Sequence, residues 1–379
     1  MRVRTTLVGA TALLLAGALA APAVAATGGR PEGGHTATRK AVEALVAAGV
    51  PGVTATAEDS HGTWSTTAGV GDLGTGRPRS TADRYRVGSI TKTFVATVLL
   101  QLEAEGRLSL DDTVEKWLPG VVHGHGHDGR HITVRQLLNH TSGIYNYTED
   151  AGFDRAYFTE DGFRRHRYDT LAPRELVAVA MRHRPDFAPG TFWHYSNTNY
   201  VVAGMVIEKV TGHAYATEIT RRIIGPLHLR ATSLPGTTVT VPHPSSRSYS
   251  KFTDPKGPVY DVTALNPSLA SAAGEMISNS ADLDRFYGAL LGGKILPSHQ
   301  LKEMKTTVEI KDSSYPGRYG LGLMETPLSC GVQVWGHDGG IHGSVSMAIT
   351  TEDGRHSLAL NSNGDWAGDG RAVAEGEFC

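Results

Sequence analysis

The sequence predicts an α/β fold of the α+β kind: an antiparallel β-sheet flanked by helices, with a mostly helical lobe inserted into it. Three observations carry that expectation. Alternating apolar and polar runs occur near both ends of the chain, at residues 53–58 and 63–70 and again between 319 and 360. Helical spacing and loops fill the stretch between them. The chain has neither the βαβ rhythm of a doubly wound sheet nor an internal repeat of about 20–50 residues.

The start of the 379-residue chain reads as a targeting segment. Arg2 and Arg4 precede an apolar run from Leu7 to Ala21, and Ala23-Val24-Ala25 supplies small residues for cleavage after Ala25. The run is too short and alanine-rich for a membrane span. The expectation is a secreted protein without a membrane anchor: signal peptide 1–25, one domain 26–379. Its α/β lobe would be 37–105 plus 266–379, its helical lobe 106–265. A net charge of −2 gives no basic footprint for nucleic acid. The two cysteines, Cys330 and Cys379, suit a disulfide in an exported chain. Free thiols or a metal pair are the alternatives, although two cysteines this far apart give no zinc-ligand spacing.

Taken in order, residues 27–36 are a Gly-rich lead-in, and 38–48 have helical spacing through Val42, Leu45 and Val46. The runs 53–58 and 63–70 form a hairpin. A long apolar helix follows over 89–105 and is closed by Gly106, and 108–118 is a short capped element. Two helices are clear in the middle of the chain, 174–181 and 198–210, the second ended by Gly212. Residues 241–258, rich in Pro, Ser and Lys, read as a surface loop. Ser280 caps a helix over 281–291. Strands are expected at 319–324, 332–335, 344–350 and 358–360, with Asp353-Gly354 turning between the last two.

Three short stretches have the residue types of acyl-transfer chemistry. Ser89 and Lys92 lie three apart at the start of the apolar helix and so share a face. A serine there has its own N–H among the unpaired donors of the first turn, and an amine among Phe94 and Val95 is desolvated enough to accept a proton. Ser-x-x-Lys alone is a cheap pattern. It recurs at Ser248-Tyr249-Ser250-Lys251, and a helix-capping serine explains Ser89 equally well. Tyr195-Ser196-Asn197 follows the Pro189-Gly190 turn and precedes a helix; a phenol relays protons and an amide holds both a carbonyl and an ammonium. Trp335-Gly336-His337-Asp338-Gly339-Gly340 offers a glycine-lined strand edge with a free N–H for an oxyanion.

In this order the three motifs resemble the signature of the serine penicillin-recognising enzymes, the class C β-lactamase-like branch, closest to secreted D-alanyl-D-alanine carboxypeptidases. Residues 132–138, His140-Thr141-Ser142-Gly143, 195–209 and Tyr319-Gly320-Leu321-Gly322-Leu323 are similar as well, so the resemblance covers essentially the whole mature chain. It implies a β-lactamase/transpeptidase-like fold. By position, Ser89 becomes the acylated nucleophile and Lys92 its proton acceptor. Tyr195 is implied as proton carrier and Asn197 as the group holding Lys92 and the substrate amide. His337, counted with the catalytic residues, and Gly339 are implied along the substrate edge, with the N–H groups of Ser89 and Gly340 as oxyanion donors and Asp338 and Met324 as candidate substrate contacts. Leu328-Ser329-Cys330 and Glu377-Phe378-Cys379 also match, which implies a Cys330–Cys379 disulfide. No metal or organic cofactor is implied. Expected ligands are acyl-D-Ala peptides or esters, with β-lactams as covalent ligands, bound by a monomer.

The chain departs from the resembling proteins in the cleft. Met324 and Glu325 stand where a carboxylate-binding arginine is expected, and losing its charge-assisted bond costs about 1.5–3 kcal/mol. Asp338 and Gly340 replace neutral residues of the third motif, and Leu269 replaces a tryptophan ahead of Ala273-Gly274. A carboxypeptidase-like activity is therefore expected first. Esterase, β-lactamase and D-aminopeptidase activities are alternatives, the last because Asp338 and Glu325 suit an ammonium, and a non-catalytic penicillin-binding protein is another. A Ser-His-Asp hydrolase lacks its Gly-x-Ser-x-Gly elbow. The histidine-rich run at residues 123–128, with His131, has the spacing of a loop rather than of a helical metal site.

Overall fold

Helix α1, Thr36–Ala47, turns Val42 and Leu45 toward a hairpin of β1 (Gly52–Asp59) and β2 (Gly62–Gly69). The structure, a computed structural model, describes residues 34–311, 317–368 and 370–379. The expected signal peptide, residues 1–25, and the lead-in at 27–33 lie outside the described residues.

The other sheet strands come from the last quarter of the chain: β3 (Val308–Glu309), β4 (Arg318–Tyr319), β5 (Met324–Pro327), β6 (Gln333–Ile341), β7 (Ser344–Thr351) and β8 (Ser357–Ser362). Among the described residues these eight strands make one antiparallel sheet in the order β2-β1-β8-β7-β6-β5-β4-β3. Its first and last strands meet, with Val53 opposite Ser362 and Glu58 opposite Ser357. The expected joining of strands from both ends is what forms.

Period-two alternation assigns each strand residue to one of two cores. Val53, Ala55, Ala57, Ile349, Leu358 and Leu360 pack beneath α1 and a C-terminal helix. Ala348 and Ala359, interleaved with them, face the other way, toward Phe94, Phe286 and Tyr287. That second core is built on three helices, α2 (Thr91–Ala104), α3 (Asn197–Thr211) and α4 (Ser280–Leu291). Helix α2 is buried along most of its length, as a helix wrapped by protein should be, and Phe94 stacks on Phe286 with ring centroids 3.7 Å apart. Truncating Phe286 to alanine is expected to cost about 3–5 kcal/mol.

Several local expectations need correction. The 319–324 stretch is not one strand: Tyr319 ends β4, Met324 begins β5, and residues 320–323 turn between them, with Gly320 N donating to Leu323 O at 2.7 Å and Gly322 at φ 68°. A side chain on Gly322 would meet Ala96 and the Tyr200 hydroxyl, so the turn must be glycine. Asn279, not Ser280, caps α4 by accepting from Asp282 N; Ser280 Oγ instead pairs with the Tyr85 hydroxyl at 2.9 Å. The 241–258 segment is pinned rather than loose: Tyr249–Ser250 pairs with Tyr260–Asp261, and Tyr249 is buried. A last helix, α5 (Arg371–Phe378), was not expected from the sequence. The disulfide Cys330–Cys379 ties its end to the β5–β6 connection. No described helix is long and apolar enough to cross a membrane.

Candidate active site

Ser89 does not cap the helix. It sits in a single 3-10 turn, Gly88–Ile90, that leads into α2, and no side chain caps either element. Its Oγ lies 2.9 Å from Lys92 Nζ. Lys92 is fully buried, and its Nζ also donates to Asn197 Oδ1 at 2.8 Å and to Ala273 O at 2.8 Å. Two aromatic faces, Tyr195 at 4.8 Å and Tyr200 at 5.5 Å, close over the amine. Burial drives the Lys92 pKa well below the ordinary lysine value, with the Asp338 charge opposing. A neutral amine has two N–H donors for Asn197 and Ala273 and a lone pair for the serine proton. By contrast, the decoy lysine, Lys251, donates to Pro255 O.

Asn197 opens α3 and is fixed from three sides. Its backbone N–H donates to Asn146 Oδ1 at 3.1 Å and its Nδ2 to Thr148 Oγ1 at 3.2 Å. With its lone pair turned to the serine proton, the amine meets Asn197 as a donor, so Oδ1 is the atom facing Lys92. Tyr195 packs its ring on His140 and borders the same cleft. The fold therefore brings Ser89, Lys92, Tyr195 and Asn197 together.

The third motif lies on β6. Strand β5 stops opposite Gly336, so from His337 to Ile341 that edge of β6 is not paired by β5. Backbone meets backbone there: a Cβ on Gly339 would fall 2.9 Å from Ser89 N, and one on Gly88, at φ 54°, 2.7 Å from Gly340 N. The glycines are what allow the serine turn to seat against the strand. His337 is buried and is absent from the lining of the cleft. Its Nδ1 donates to Asp338 O, which leaves Nε2 to accept from the Tyr319 hydroxyl at 2.8 Å. Burial, reinforced by the Lys92 charge, holds the His337 pKa down at about 3, so the ring is neutral.

The cleft itself measures about 110 Å³ and is lined by Ser89, Trp193, Tyr195, Tyr319, Met324, Asp338, Gly339 and Gly340. Among the described residues Asp338 is the one charged side chain in that lining, and its side chain is 46% exposed. Partial desolvation raises its pKa while the Lys92 charge opposes. Glu325 is not in the lining: adjacent strand residues point to opposite faces, and Met324 takes the cleft side. Leu269 is buried away from it and accepts the Tyr147 hydroxyl on its carbonyl at 2.8 Å. Trp193 and Tyr319, as walls, and the Ala273 carbonyl, as a lysine partner, are additions that motif spacing did not indicate. A roomier cavity of about 700 Å³, among Arg77, Arg167, His243 and Arg247, contains none of the motif residues.

Among the described residues, the histidines of 123–131 bring no three ligand atoms within reach of one another. Ligand-type atoms do converge at Cys330, Cys379 and Glu375, but the disulfide consumes both sulfurs.

The fold and this junction of helix start and sheet edge are those of a serine hydrolase of the penicillin-recognising class. It belongs to the beta-lactamase family, whose model matches residues 38–375. The structure is similar to that of a D-stereospecific amidohydrolase from Streptomyces sp., 62% identical, with a TM-score of 0.87 over 91% of this chain and 98% of that one. A D-amino acid amidase from Ochrobactrum anthropi SV3 is 28% identical, with a TM-score of 0.77 over 90% of this chain and 97% of that one. Penicillin-binding protein 4* of Bacillus subtilis is 27% identical over 299 residues, 76% of this chain. The chain spans 62% of that protein's length.

Proposed function

We propose that the protein is an exported serine amidohydrolase that cleaves amides and peptides of D-amino acids carrying a free α-ammonium. One observation carries the choice of substrate: among the described residues that line the cleft, Asp338 is the charged side chain and none is an arginine. A carboxylate there attracts an ammonium and repels a substrate C-terminus. The named activities of the Streptomyces and Ochrobactrum relatives support the same reading.

The chemistry runs through an acyl-enzyme. Lys92 Nζ takes the Ser89 proton, and Oγ attacks the carbonyl carbon. The N–H groups of Ser89 and Gly340 hold the oxyanion. Tyr195 passes a proton to the leaving nitrogen, the C–N bond breaks and the amine departs. A water then attacks the ester, gives its proton back through the same groups, and Ser89 is released with the acid. Asn197 keeps Lys92 aimed at Ser89. Export rests on the signal-like residues 1–25.

A second reading, a D-alanyl-D-alanine carboxypeptidase-like peptidase on peptidoglycan-type peptides, is favoured by the three motifs and the paired cysteines. A panel separates the two: a D-amino acid amide, a diacetyl-Lys-D-Ala-D-Ala peptide and a nitrophenyl ester, alongside labelling with a fluorescent penicillin or fluorophosphonate. The expected result is labelling lost in Ser89→Ala, with the amide turned over fastest. Faster turnover of the blocked peptide would select the second reading. No adduct at Ser89 would remove both.

A further inference from the structure

His140 is used by no step above, yet it is built into the catalytic loop. Its imidazole is fully buried and its backbone is left-handed, at φ 62°, which a non-glycine residue adopts only when its surroundings enforce it. Residues 192–196, which carry Tyr195, have neither helix nor strand to hold them. His140 supplies what the ladder does not. Its carbonyl accepts from His194 N at 3.1 Å, and its Nδ1 accepts from Ser196 N at 3.1 Å. Those are the residues on either side of Tyr195.

The ring's state is fixed by its neighbours. Ser142 Oγ donates to Asn199 Oδ1 at 2.6 Å, which turns Asn199 Nδ2 toward His140 Nδ1 at 3.2 Å. With two N–H groups pointing at it, Nδ1 must be bare and the ring proton lies on Nε2. Burial, with the Lys92 charge next, keeps the imidazole from protonating. The ring face lies 4.3 Å from the Tyr195 ring, and Tyr319 and Tyr200 close the box at 4.8 and 5.4 Å.

We propose that His140 is a positioning residue: by gripping the backbone before and after Tyr195 and backing its ring, it fixes the phenol against Lys92 and Ser89. This rests on the proposed role of Tyr195 as proton carrier. It deepens that role, since a loop-borne phenol must be held to within a fraction of an ångström to transfer a proton.

The test measures the limiting acylation rate and apparent affinity of the intact protein with a fluorescent penicillin. His140→Leu removes the acceptor and keeps bulk. His140→Asn keeps an oxygen branching from Cγ where Nδ1 does, and asparagine tolerates the left-handed backbone. His140→Leu is expected to slow acylation about 100-fold with little change in affinity. His140→Asn should recover to within roughly tenfold of wild type, and in a Tyr195→Phe background His140→Leu should add less than about threefold. Wild-type acylation by folded His140→Leu, or its full effect persisting without the phenol, overturns the inference. Should His140→Leu fail to fold, a folded His140→Asn as slow as Tyr195→Phe overturns it, and one near wild type supports it. If the wild type takes no label at Ser89 from the penicillin or from a fluorophosphonate, the proposed function and this inference fail together. A labelled wild type with indifferent His140 variants sinks the inference alone.

Discussion

Lys92 Nζ lies 2.9 Å from Ser89 Oγ, and the lysine's other two partners are an amide oxygen and a backbone carbonyl, not a carboxylate. Among the described residues no carboxylate contacts the amine, and burial outweighs the Asp338 charge, so the amine is held as a base. Lys92→Arg, which keeps charge but cannot release a proton, is expected to slow acylation by at least about 10³-fold with the fold intact. The wild-type rate should fall in acid as Lys92 protonates, along a single-proton limb lying below the ordinary lysine range. A rate independent of pH down to the acid unfolding transition would contradict this.

Asp338 sets the sign of the preferred substrate. Asp338→Asn should raise KM for a D-amino acid amide about tenfold and leave KM for the N-acetylated amide within about twofold, since a lost charge-assisted bond is worth roughly 1.5 kcal/mol. Steady-state kinetics on the matched pair decides it. An equal rise for both would mean that Asp338 shapes the cleft without reading charge.

His194, the neighbour of Tyr195, bonds Asp186 at 2.8 Å and approaches Glu149 at 3.4 Å. The Asp186 bond, then the Glu149 bond, raises its pKa to about 10. Its folded value thus exceeds the unfolded one, about 6.5. The stability it contributes is complete below pH about 6.5 and is lost as pH climbs through about 10. The imidazole is 40% exposed, so solvent screening keeps the effect small. Urea midpoints measured from pH 6 to 10 should decline less steeply in His194→Gln than in wild type. Parallel curves would refute it.

The Cys330–Cys379 bridge closes a span of 49 residues that contains β6, β7 and β8. Replacing both cysteines with serine should lower stability by about 2–4 kcal/mol, read as a shift in the urea midpoint. The acylation rate at 20 °C should stay close to wild type, because neither sulfur touches the cleft.

What was legible in the sequence followed from short-range geometry. A serine and a lysine three apart share a helix face, and Val53, Ala55 and Ala57 alternate, so both could be read from spacing alone. What was not legible depended on long-range packing or on backbone atoms. The Ala273 carbonyl that holds Lys92 has no side-chain signature. Met324 and Glu325 exchange faces with a one-residue change of register, which the sequence around them does not specify. Helix α5 contains Gly376 and looks too weak to form. Yet a side chain there would fall 2.9 Å from the Ala37 backbone, so the glycine is the contact that lets α5 cross α1 closely. Its propensity is poor because its packing is tight.

The strand order has a consequence for timing. The nucleophile and its base belong to the first third of the polypeptide, but the edge that faces them, Gly339-Gly340, is synthesised some 250 residues later. Strand β1 likewise waits about 300 residues for β8. A nascent chain interrupted before Gln333 would have Ser89 and Lys92 and nothing to seat them against. Reactivity therefore waits for the last strands to leave the ribosome, and a copy without them has no assembled site with which to attack the acyl groups around it.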